Sequence, residues 1–285
     1  MAQAVNPATA RRVVQAFRGM PTSDGAGVKL NRVIGTPSLP DLDPFLMLDE
    51  FGSDDPKAYI AGFPDHPHRG FETVTYMLAG RMRHGDNKGN VGLLGPGSVQ
   101  WMTAGRGIVH SEMPEQEAGL MKGFQLWINL PAKDKMCAPR YQDIEPAKVP
   151  QVDAGNGVTV KVLAGQFGGV TGPVDPGATE PLYLDAVLPN PAPLDIAVPA
   201  GHNAFVYVYA GEVALGAEGT SLSRGNLAVL SLGANIAVRS LQPDTRFILV
   251  AGRPLREPVA KYGPFVMNTE DELRQAVRDY QAGRF

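Results

Sequence analysis

Short strand-like runs separated by glycine and proline restrict the fold of this chain more than any other feature. Glu72–Leu78, Ser98–Thr103 and Phe124–Leu130 are rich in β-branched or aromatic residues, and turn-forming residues lie close to both ends of each run. The 33 glycines and 25 prolines are spread along the 285 residues. Turns this frequent between short strands predict an all-β fold. Further runs of the same kind lie at 158–163, 182–188, 204–210, 226–231 and 245–250.

A repeated motif predicts that this β fold is built twice. Tyr76–Gly80 and Tyr207–Gly211 share the pattern Tyr-x-x-Ala-Gly, and 207 minus 76 gives an offset of 131 residues. Two copies are too few for a solenoid but suit a duplicated domain of barrel size. Residues 132–146 carry charges and prolines and few apolar positions. We therefore predict a linker there, between a first domain at 1–131 and a second at 147–285.

One helix is predicted, at about 269–282. Thr269 and Glu272 form a capping box, in which each side chain can bind the backbone amide of the other residue. Gly283 is placed to end the helix. We expect the helix to end the second domain and to cover an open face or edge of a sheet. Its apolar positions recur at helical spacing, at Leu273, Val277 and Tyr280.

Charge and cysteine content exclude several classes of protein. The 26 Lys and Arg against 29 Asp and Glu give a net charge of −3, so no nucleic-acid-binding face is indicated. The single cysteine, Cys137, excludes an intramolecular disulfide and a cysteine-based metal cluster, and no redox role is expected for it. No apolar stretch is long enough to cross a membrane, and no signal peptide opens the chain. We expect a soluble, cytoplasmic protein.

Two short clusters of histidines and carboxylates carry the chemistry of the first domain. His66 and His68 are two residues apart, and so are His110 and Glu112. On a strand, residues i and i+2 point to the same face, about 6.5–7 Å apart. Two such pairs facing one interior would place three imidazoles and a carboxylate around a cation such as Fe, Ni, Cu, Mn or Zn. Spacing alone also allows two loop histidines beside Pro67 and a buried His110–Glu112 ion pair.

The other notable side chains suggest structural roles. His84 lies in a turn-like segment, where we expect a solvated residue, and His202 is expected to be a loop residue. As the only histidine of the second half, His202 cannot form a metal site by itself. Three aromatic residues are expected in the core, or alternatively in the wall of a pocket for an aromatic substrate. They are Trp101, Phe124 and Trp127.

Long segments around the histidine clusters resemble the signature segments of the pirin family. Pirins belong to the cupin superfamily, so the resemblance implies two tandem cupin-type, jelly-roll-like β-barrels. It also implies one divalent metal per chain, most simply iron, held in the first barrel by His66, His68, His110 and Glu112; Ni, Cu, Mn and Zn suit the same ligands. The resemblance runs from about Val28 to the C-terminus and is carried by Asp43–Phe51, Gly62–Glu72, Gln100–Pro114, Gly123–Leu130 and Gly263–Thr269.

Two departures from the general cupin pattern affect the site. That pattern would use Glu72 as a metal ligand, but in pirins the His110 and Glu112 positions complete the site. Glu72 is then expected to accept structural hydrogen bonds, with Arg69 and backbone amides as the candidate donors and orientation of a metal ligand as the alternative role. In the second barrel, the positions 131 residues after His66, His68 and Glu72 hold no equivalent ligands. We therefore expect that barrel to be degenerate and metal-free.

The resemblance leaves more than one function open. Some pirins resemble quercetin 2,3-dioxygenases, so our leading hypothesis is an oxygenase that opens a flavonol ring with O2 and releases carbon monoxide, with Glu112 as the base. The alternative is an iron-dependent, redox-sensitive binding or co-regulatory protein that has a protein partner and no turnover. A cupin isomerase or sugar-binding protein is a third reading, but it would favour polar residues in the barrel over Trp, Phe and Met.

Overall fold

The computed structural model describes residues 10–189 and 191–285, and almost all of their regular secondary structure is β-strand. The prediction of an all-β fold with one short C-terminal helix is confirmed. The first strands are β1 (Val13–Arg18), β2 (Met20–Asp24), β3 (Val28–Ile34), β4 (Phe45–Ser53), β5 (Phe63–His68), β6 (Phe71–Ala79), β7 (Met82–Asp86), β8 (Val91–Leu94), β9 (Val99–Thr103), β10 (Ile108–Pro114), β11 (Met121–Asn129), β12 (Arg140–Ile144) and β13 (Gln151–Asp153).

The remaining strands belong mainly to the second half of the chain. They are β14 (Thr159–Ala164), β15 (Gln166–Phe167), β16 (Val170–Thr171), β17 (Leu182–Leu188), β18 (Pro193–Ala197), β19 (Asn203–Ala210), β20 (Glu212–Leu215), β21 (Thr220–Ser223), β22 (Asn226–Leu230), β23 (Asn235–Ser240), β24 (Thr245–Gly252), β25 (Ala260–Tyr262) and β26 (Phe265–Met267). The α-helix, α1, is Glu270–Gln281, and short 3-10 helices lie at Pro56–Ala58, Ala132–Asp134 and Pro146–Lys148.

The chain divides into two compact units whose bounds differ from the predicted domains. The histidine unit consists of Met20–Pro146 and Leu255–Phe285, and the second unit of the described residues up to Gly19 and Ala147–Pro254. The difference arises because the two ends of the chain exchange units. The N-terminal segment belongs to the second unit, and the C-terminal segment belongs to the histidine unit. Strand β1 pairs with β22, while Arg69 forms an isolated β-bridge with Phe265.

Two antiparallel sheets form the barrel of the histidine unit. One has seven strands in the order β12-β9-β6-β11-β4-β3-β2, and the other has four in the order β5-β10-β7-β8. At one end, apolar side chains from both sheets pack into a buried cluster, so that the sheets enclose an interior as in a jelly roll. The cluster consists of Val28, Leu30, Phe51, Tyr59, Met77, Met82, Leu94 and Met121.

The segment predicted to be a linker, 132–146, is instead part of the histidine unit. Strand β12 pairs with β9 along its whole length, from Arg140 opposite Thr103 to Ile144 opposite Val99. Lys135 is buried, with its ammonium group donating to carbonyl oxygens at three points of the unit. The polar composition that suggested a linker is that of an edge strand, since only one face of such a strand needs apolar side chains.

The C-terminal helix also belongs to the histidine unit rather than to the second barrel. Thr269 and Glu272 form the predicted capping box, and Gly283 follows the helix with a φ of 65°. Leu273 and Ala276 are buried in an apolar cluster with Phe265, Met267 and Phe285. Within the described residues no helix is long and apolar enough to cross a membrane.

The second unit is a further two-sheet barrel. Its sheets have the orders β1-β22-β19-β24-β17-β14-β13 and β18-β23-β20-β21, and its core is an apolar cluster of valine, leucine, isoleucine, alanine and phenylalanine. His202 is a loop residue as predicted, in the bend before β19, and it is buried. Its carbonyl oxygen accepts a hydrogen bond from Arg11, and its Nε2 lies 3.8 Å from Glu180. The absence of a metal from this barrel stays a prediction.

Candidate metal centre

Pairing of β5 with β10 brings three histidines together in the interior of the histidine unit. His66 lies directly opposite His110, and His68 lies two residues further along β5 on the same face. The ring centroids are 4.7 Å apart for His66 and His68, 4.4 Å for His66 and His110, and 5.0 Å for His68 and His110. Each imidazole offers a nitrogen atom within 4.8 Å of the other two.

A register irregularity follows directly after this row of histidines. His110 is opposite His66, but Glu112 is opposite Phe63, so one residue of β5 is left unmatched between the two pairs. Such a bulge bends a strand and redirects its side chains, and bulges are common beside functional sites. Here the bulge separates the imidazole row from the carboxylate.

Burial keeps the imidazoles of His68 and His110 neutral, because it lowers the pKa of each. His68 is 2% exposed and His110 is 1% exposed. Burial lowers the pKa of His68 well below the ordinary histidine value, with further lowering by His110 and His66. Burial also lowers the pKa of His110 strongly, and the neighbouring His66 and His84 add to the effect. A neutral imidazole has a free lone pair, which is the form that binds transition metals.

Several nitrogens of this cluster have no protein partner among the described residues. They are Nδ1 of His68 and both ring nitrogens of His110. A buried polar atom without a partner costs about 1–3 kcal/mol. His66 differs, because its Nδ1 lies 2.8 Å from the carbonyl oxygen of Pro64, an acceptor that orients the ring and leaves Nε2 for another contact. The donor set therefore fits a bound transition metal ion.

Glu112 is buried in the same interior, but it lies outside the close group of three histidines. Its Oε1 accepts a hydrogen bond from Thr75 Oγ1 at 2.9 Å, and its Oε2 accepts one from Gln125 Nε2 at 3.3 Å. Thr75 Oγ1 also lies 2.6 Å from Gln125 Oε1. Because a hydroxyl has one proton, Thr75 donates to only one of these two acceptors at a time.

A cavity of about 680 Å³ opens onto the cluster. His66, His68 and Glu112 line it together with Gln125 and Trp127. Its volume lies in the range of pockets for small organic ligands, and much of its wall is apolar. The apolar part of the wall includes Leu46, Met47, Phe51, Phe63 and Val266.

A row of polar side chains that was not predicted from the sequence crosses the inner face of the seven-stranded sheet. Each residue in the row is the register partner of the next, so the side chains share one face. Thr75 and Gln125, at the middle of the row, are the two that contact Glu112. The available signal was a lone glutamine within an apolar run, at Gln100 and at Gln125. From β12 to β3 the row is Asp143, Gln100, Thr75, Gln125, Asp49 and Arg32.

Glu72 lies on the opposite face of β6 from Thr75, because successive strand residues alternate. It is buried, and its Oε1 accepts a hydrogen bond from Thr103 Oγ1 at 2.6 Å. It is therefore a hydrogen-bond acceptor as expected. Arg69 instead donates to the carbonyl oxygen of Arg106 and to Asp279.

The structure corrects the expectation for His84. Instead of a solvated turn residue, it is a strand residue of β7 that is 2% exposed and lies opposite Glu112 in the register. Its Nε2 lies 3.5 Å from the carboxylate of Asp143. A Cβ at Gly92 would be 2.0 Å from the same nitrogen, so the imidazole occupies space that only a glycine leaves free.

The aromatic residues and the cysteine have separate surroundings. Trp101 and Phe124 are buried core residues, whereas Trp127 lines the cavity and lies with its ring 5.2 Å from that of His68. Cys137 is half-buried, and burial raises the pKa of its thiol. A raised pKa leaves less of the reactive thiolate.

The fold and the histidine cluster define a class of protein: a two-barrel cupin chain whose first barrel carries a three-histidine site. Comparison with known families agrees. The pirin family model matches residues 27–128, and the model of the pirin C-terminal cupin domain matches residues 183–285. The chain belongs to the pirin family.

Individual relatives resemble almost the whole chain. A Pseudomonas aeruginosa protein named "Putative quercetin 2,3-dioxygenase" is 51% identical over 278 residues, covering 96% of this chain and 97% of its own. A pirin-like protein of Caulobacter vibrioides is 51% identical over 276 residues, covering 96% and 99%. The crystal structure of a quercetin 2,3-dioxygenase from Acinetobacter baumannii is 32% identical, with a TM-score of 0.90, and covers 97% of this chain and 98% of its own.

Proposed function

We propose that this pirin is a metal-dependent dioxygenase that opens a flavonol ring with O2 and releases carbon monoxide. The observation that carries the proposal is the group of three imidazoles at a largely apolar cavity of about 680 Å³. A small planar aromatic molecule suits such a cavity. The similarity to proteins named as quercetin 2,3-dioxygenases supports the same chemistry.

In this proposal His66, His68, His110 and Glu112 hold one transition metal ion, and the ion is iron. The unpartnered nitrogens of His68 and His110 support the histidine part of the ligand set. The same donor types suit Ni, Cu, Mn and Zn, so the ligands define the site more narrowly than they define the metal. The bound ion would supply Lewis-acid and redox chemistry toward O2 and the substrate's ionised hydroxyl.

The protein's own contribution begins with Glu112. In the proposal the Glu112 carboxylate takes the proton of the flavonol hydroxyl. It lines the cavity, and glutamate carboxylates commonly act as general bases. Thr75 and Gln125 hold the two carboxylate oxygens in place. Trp127 and Phe63 in the wall would pack on the aromatic rings and exclude water from the reacting atoms.

The test is oxygen uptake and carbon monoxide release with quercetin. Protein reconstituted anaerobically with Fe(II) is compared with apo-protein and with His66→Ala, and His202→Ala in the second unit serves as the matched histidine control. We expect stoichiometric carbon monoxide only from metal-loaded wild type and the control. Tight metal binding without turnover would overturn the proposal and favour a redox-sensitive binding protein, whose partner would then be sought with oxidised and reduced protein.

A further inference from the structure

The cavity wall carries a second polar cluster, formed by strands β2, β3 and β4 rather than by the histidine strands. Arg32 Nε donates to Asp49 Oδ1 at 2.9 Å, and its Nη2 donates to Asp49 Oδ2 at 2.7 Å. The same Nη2 donates to Asp24 Oδ2 at 2.7 Å. A bidentate bond to one carboxylate and a further bond to another fix the guanidinium in one orientation. We refer to Asp24, Arg32 and Asp49 as the triad.

The triad extends from the buried interior to the solvent. The side chain of Asp49 is 3% exposed, that of Arg32 is 25% and that of Asp24 is 52%. Arg32 Nη1 makes no hydrogen bond to any residue that the structure describes. A buried ion pair is weak evidence for stability, since apolar residues of similar volume often replace it without loss. Its position on a ligand-sized cavity therefore points to recognition of a ligand.

The charges of the wall indicate which ligand groups the triad suits. Among the described residues that line the cavity, four carry a carboxylate, Asp24, Asp49, Asp65 and Glu112, and two carry a cationic group, Arg32 and Lys261. Lys261 also pairs with Asp41 at 3.3 Å. A divalent metal ion at the histidines would offset this excess of negative charge there, but the triad itself places two carboxylates around one guanidinium, and this local negative charge opposes a phosphate or carboxylate ligand. A neutral hydroxyl is favoured, since it can donate to a carboxylate and accept from Arg32 Nη1.

We infer that the triad is a hydroxyl-recognition subsite and that Arg32 is a specificity-determining residue for phenolic ligands. The inference rests on the proposed function for the class of ligand. A planar molecule would pack on the apolar wall around Trp127, with one end toward the histidines and a phenolic hydroxyl of the other end at the triad. Ligands without that remote hydroxyl would bind more weakly.

Binding is the primary measurement, because it does not depend on turnover. Quercetin, which has hydroxyls on both ring systems, is compared with 3-hydroxyflavone, which has only the one beside the carbonyl, by calorimetry on metal-loaded protein. A hydrogen bond to a charged group is worth about tenfold or more in affinity. We expect Arg32→Met to weaken quercetin binding by about that factor and to leave 3-hydroxyflavone within about twofold of wild type.

Two further variants keep the test decisive. Arg32→Met leaves the Asp49 carboxylate buried without its partner, so the double variant Arg32→Met/Asp49→Leu removes both charges and is tested if the single variant does not fold. Arg83→Met removes an arginine that pairs with Glu115 outside the cavity, and it should keep the wild-type preference. An unchanged affinity ratio in a folded Arg32 variant would overturn the inference. If Arg32→Met loses the preference for quercetin over 3-hydroxyflavone but wild type releases no carbon monoxide, the proposed reaction is refuted and the hydroxyl subsite is not.

Discussion

Thr75 Oγ1 lies 2.9 Å from Glu112 Oε1, and this contact joins the two sheets of the histidine unit through a buried carboxylate. Thr75 is on β6 of the seven-stranded sheet, and Glu112 is on β10 of the four-stranded sheet. Gln125, the register partner of Thr75, donates to the other carboxylate oxygen. The orientation of Glu112 is thus set by the opposite sheet rather than by its own strand.

Thr75→Val tests this arrangement, because it removes the hydroxyl at nearly constant volume. Loss of one buried hydrogen bond should lower the free energy of unfolding by about 1–3 kcal/mol. We expect metal content close to wild type and turnover with quercetin reduced about tenfold, since Glu112 loses one of its two hydrogen-bond donors. Thr73→Val, on the same face of the same strand, is the control. Equal losses of metal and turnover in Thr75→Val would contradict an orienting role.

His110→Ala should abolish the stabilisation that the protein gains from a bound metal. A ligand present at a hundred times its Kd stabilises the folded state by about 2.7 kcal/mol, so Tm rises with added metal. We expect that rise in wild type, its reversal by a chelator, and no rise in His110→Ala. Metal content by mass spectrometry and thermal unfolding measure this without any substrate. His202→Gln serves as the control, and a metal-dependent rise in His110→Ala would refute His110 as a ligand.

The hydrogen bonds to Asp279 predict how the free energy of unfolding changes at acid pH. Hydrogen bonds from Arg69, Arg284 and Gln275, with that from Arg69 the largest cause, lower the pKa of Asp279 from 3.8 to about 2. A lowered folded-state pKa gives stability that is present above the unfolded value and is lost as the pH falls through the folded value. The free energy of unfolding should therefore fall between about pH 4 and pH 2 more steeply in wild type than in Asp279→Asn. Urea unfolding across this pH range measures the difference.

The control for Asp279 is Asp271→Asn on the same helix, whose carboxylate is 89% exposed and pairs only locally with Arg274. It should keep the wild-type acid dependence. Identical pH profiles for wild type and Asp279→Asn would show that the bond between Arg69 and Asp279 contributes nothing to folding.

Lys135→Met should destabilise the histidine unit strongly. The ammonium group donates to the carbonyl oxygens of Gly70 and Val266 and to the side chain of Asn129, at 2.7, 3.0 and 2.6 Å. Each buried acceptor that loses its donor costs about 1–3 kcal/mol. Denaturant unfolding measures the loss, with the exposed neighbour Lys133→Met as the control. A change below about 1 kcal/mol would mean that 132–146 contributes little to this unit.

Eight of the 26 described strands could be predicted from local sequence. Glu72–Leu78, Ser98–Thr103 and Phe124–Leu130 correspond closely to β6, β9 and β11. The capping box of Thr269 and Glu272 was equally clear, because all its contacts lie within four residues. The unit that a segment joins was not predictable in this way. Composition describes 132–146 correctly as polar, but only pairing with β9 makes it part of a sheet.

In the candidate site, too, some features could be predicted from the sequence and others could not. Spacing in the sequence limits which side chains could meet, because His66 and His68, like His110 and Glu112, are two residues apart and so share one face of a strand. Tertiary contacts create the polar row from Asp143 to Arg32, the burial of His84 and the contact of Thr75 with Glu112. These depend on the register between strands far apart in sequence, and a slip of one residue would turn each side chain to the other face.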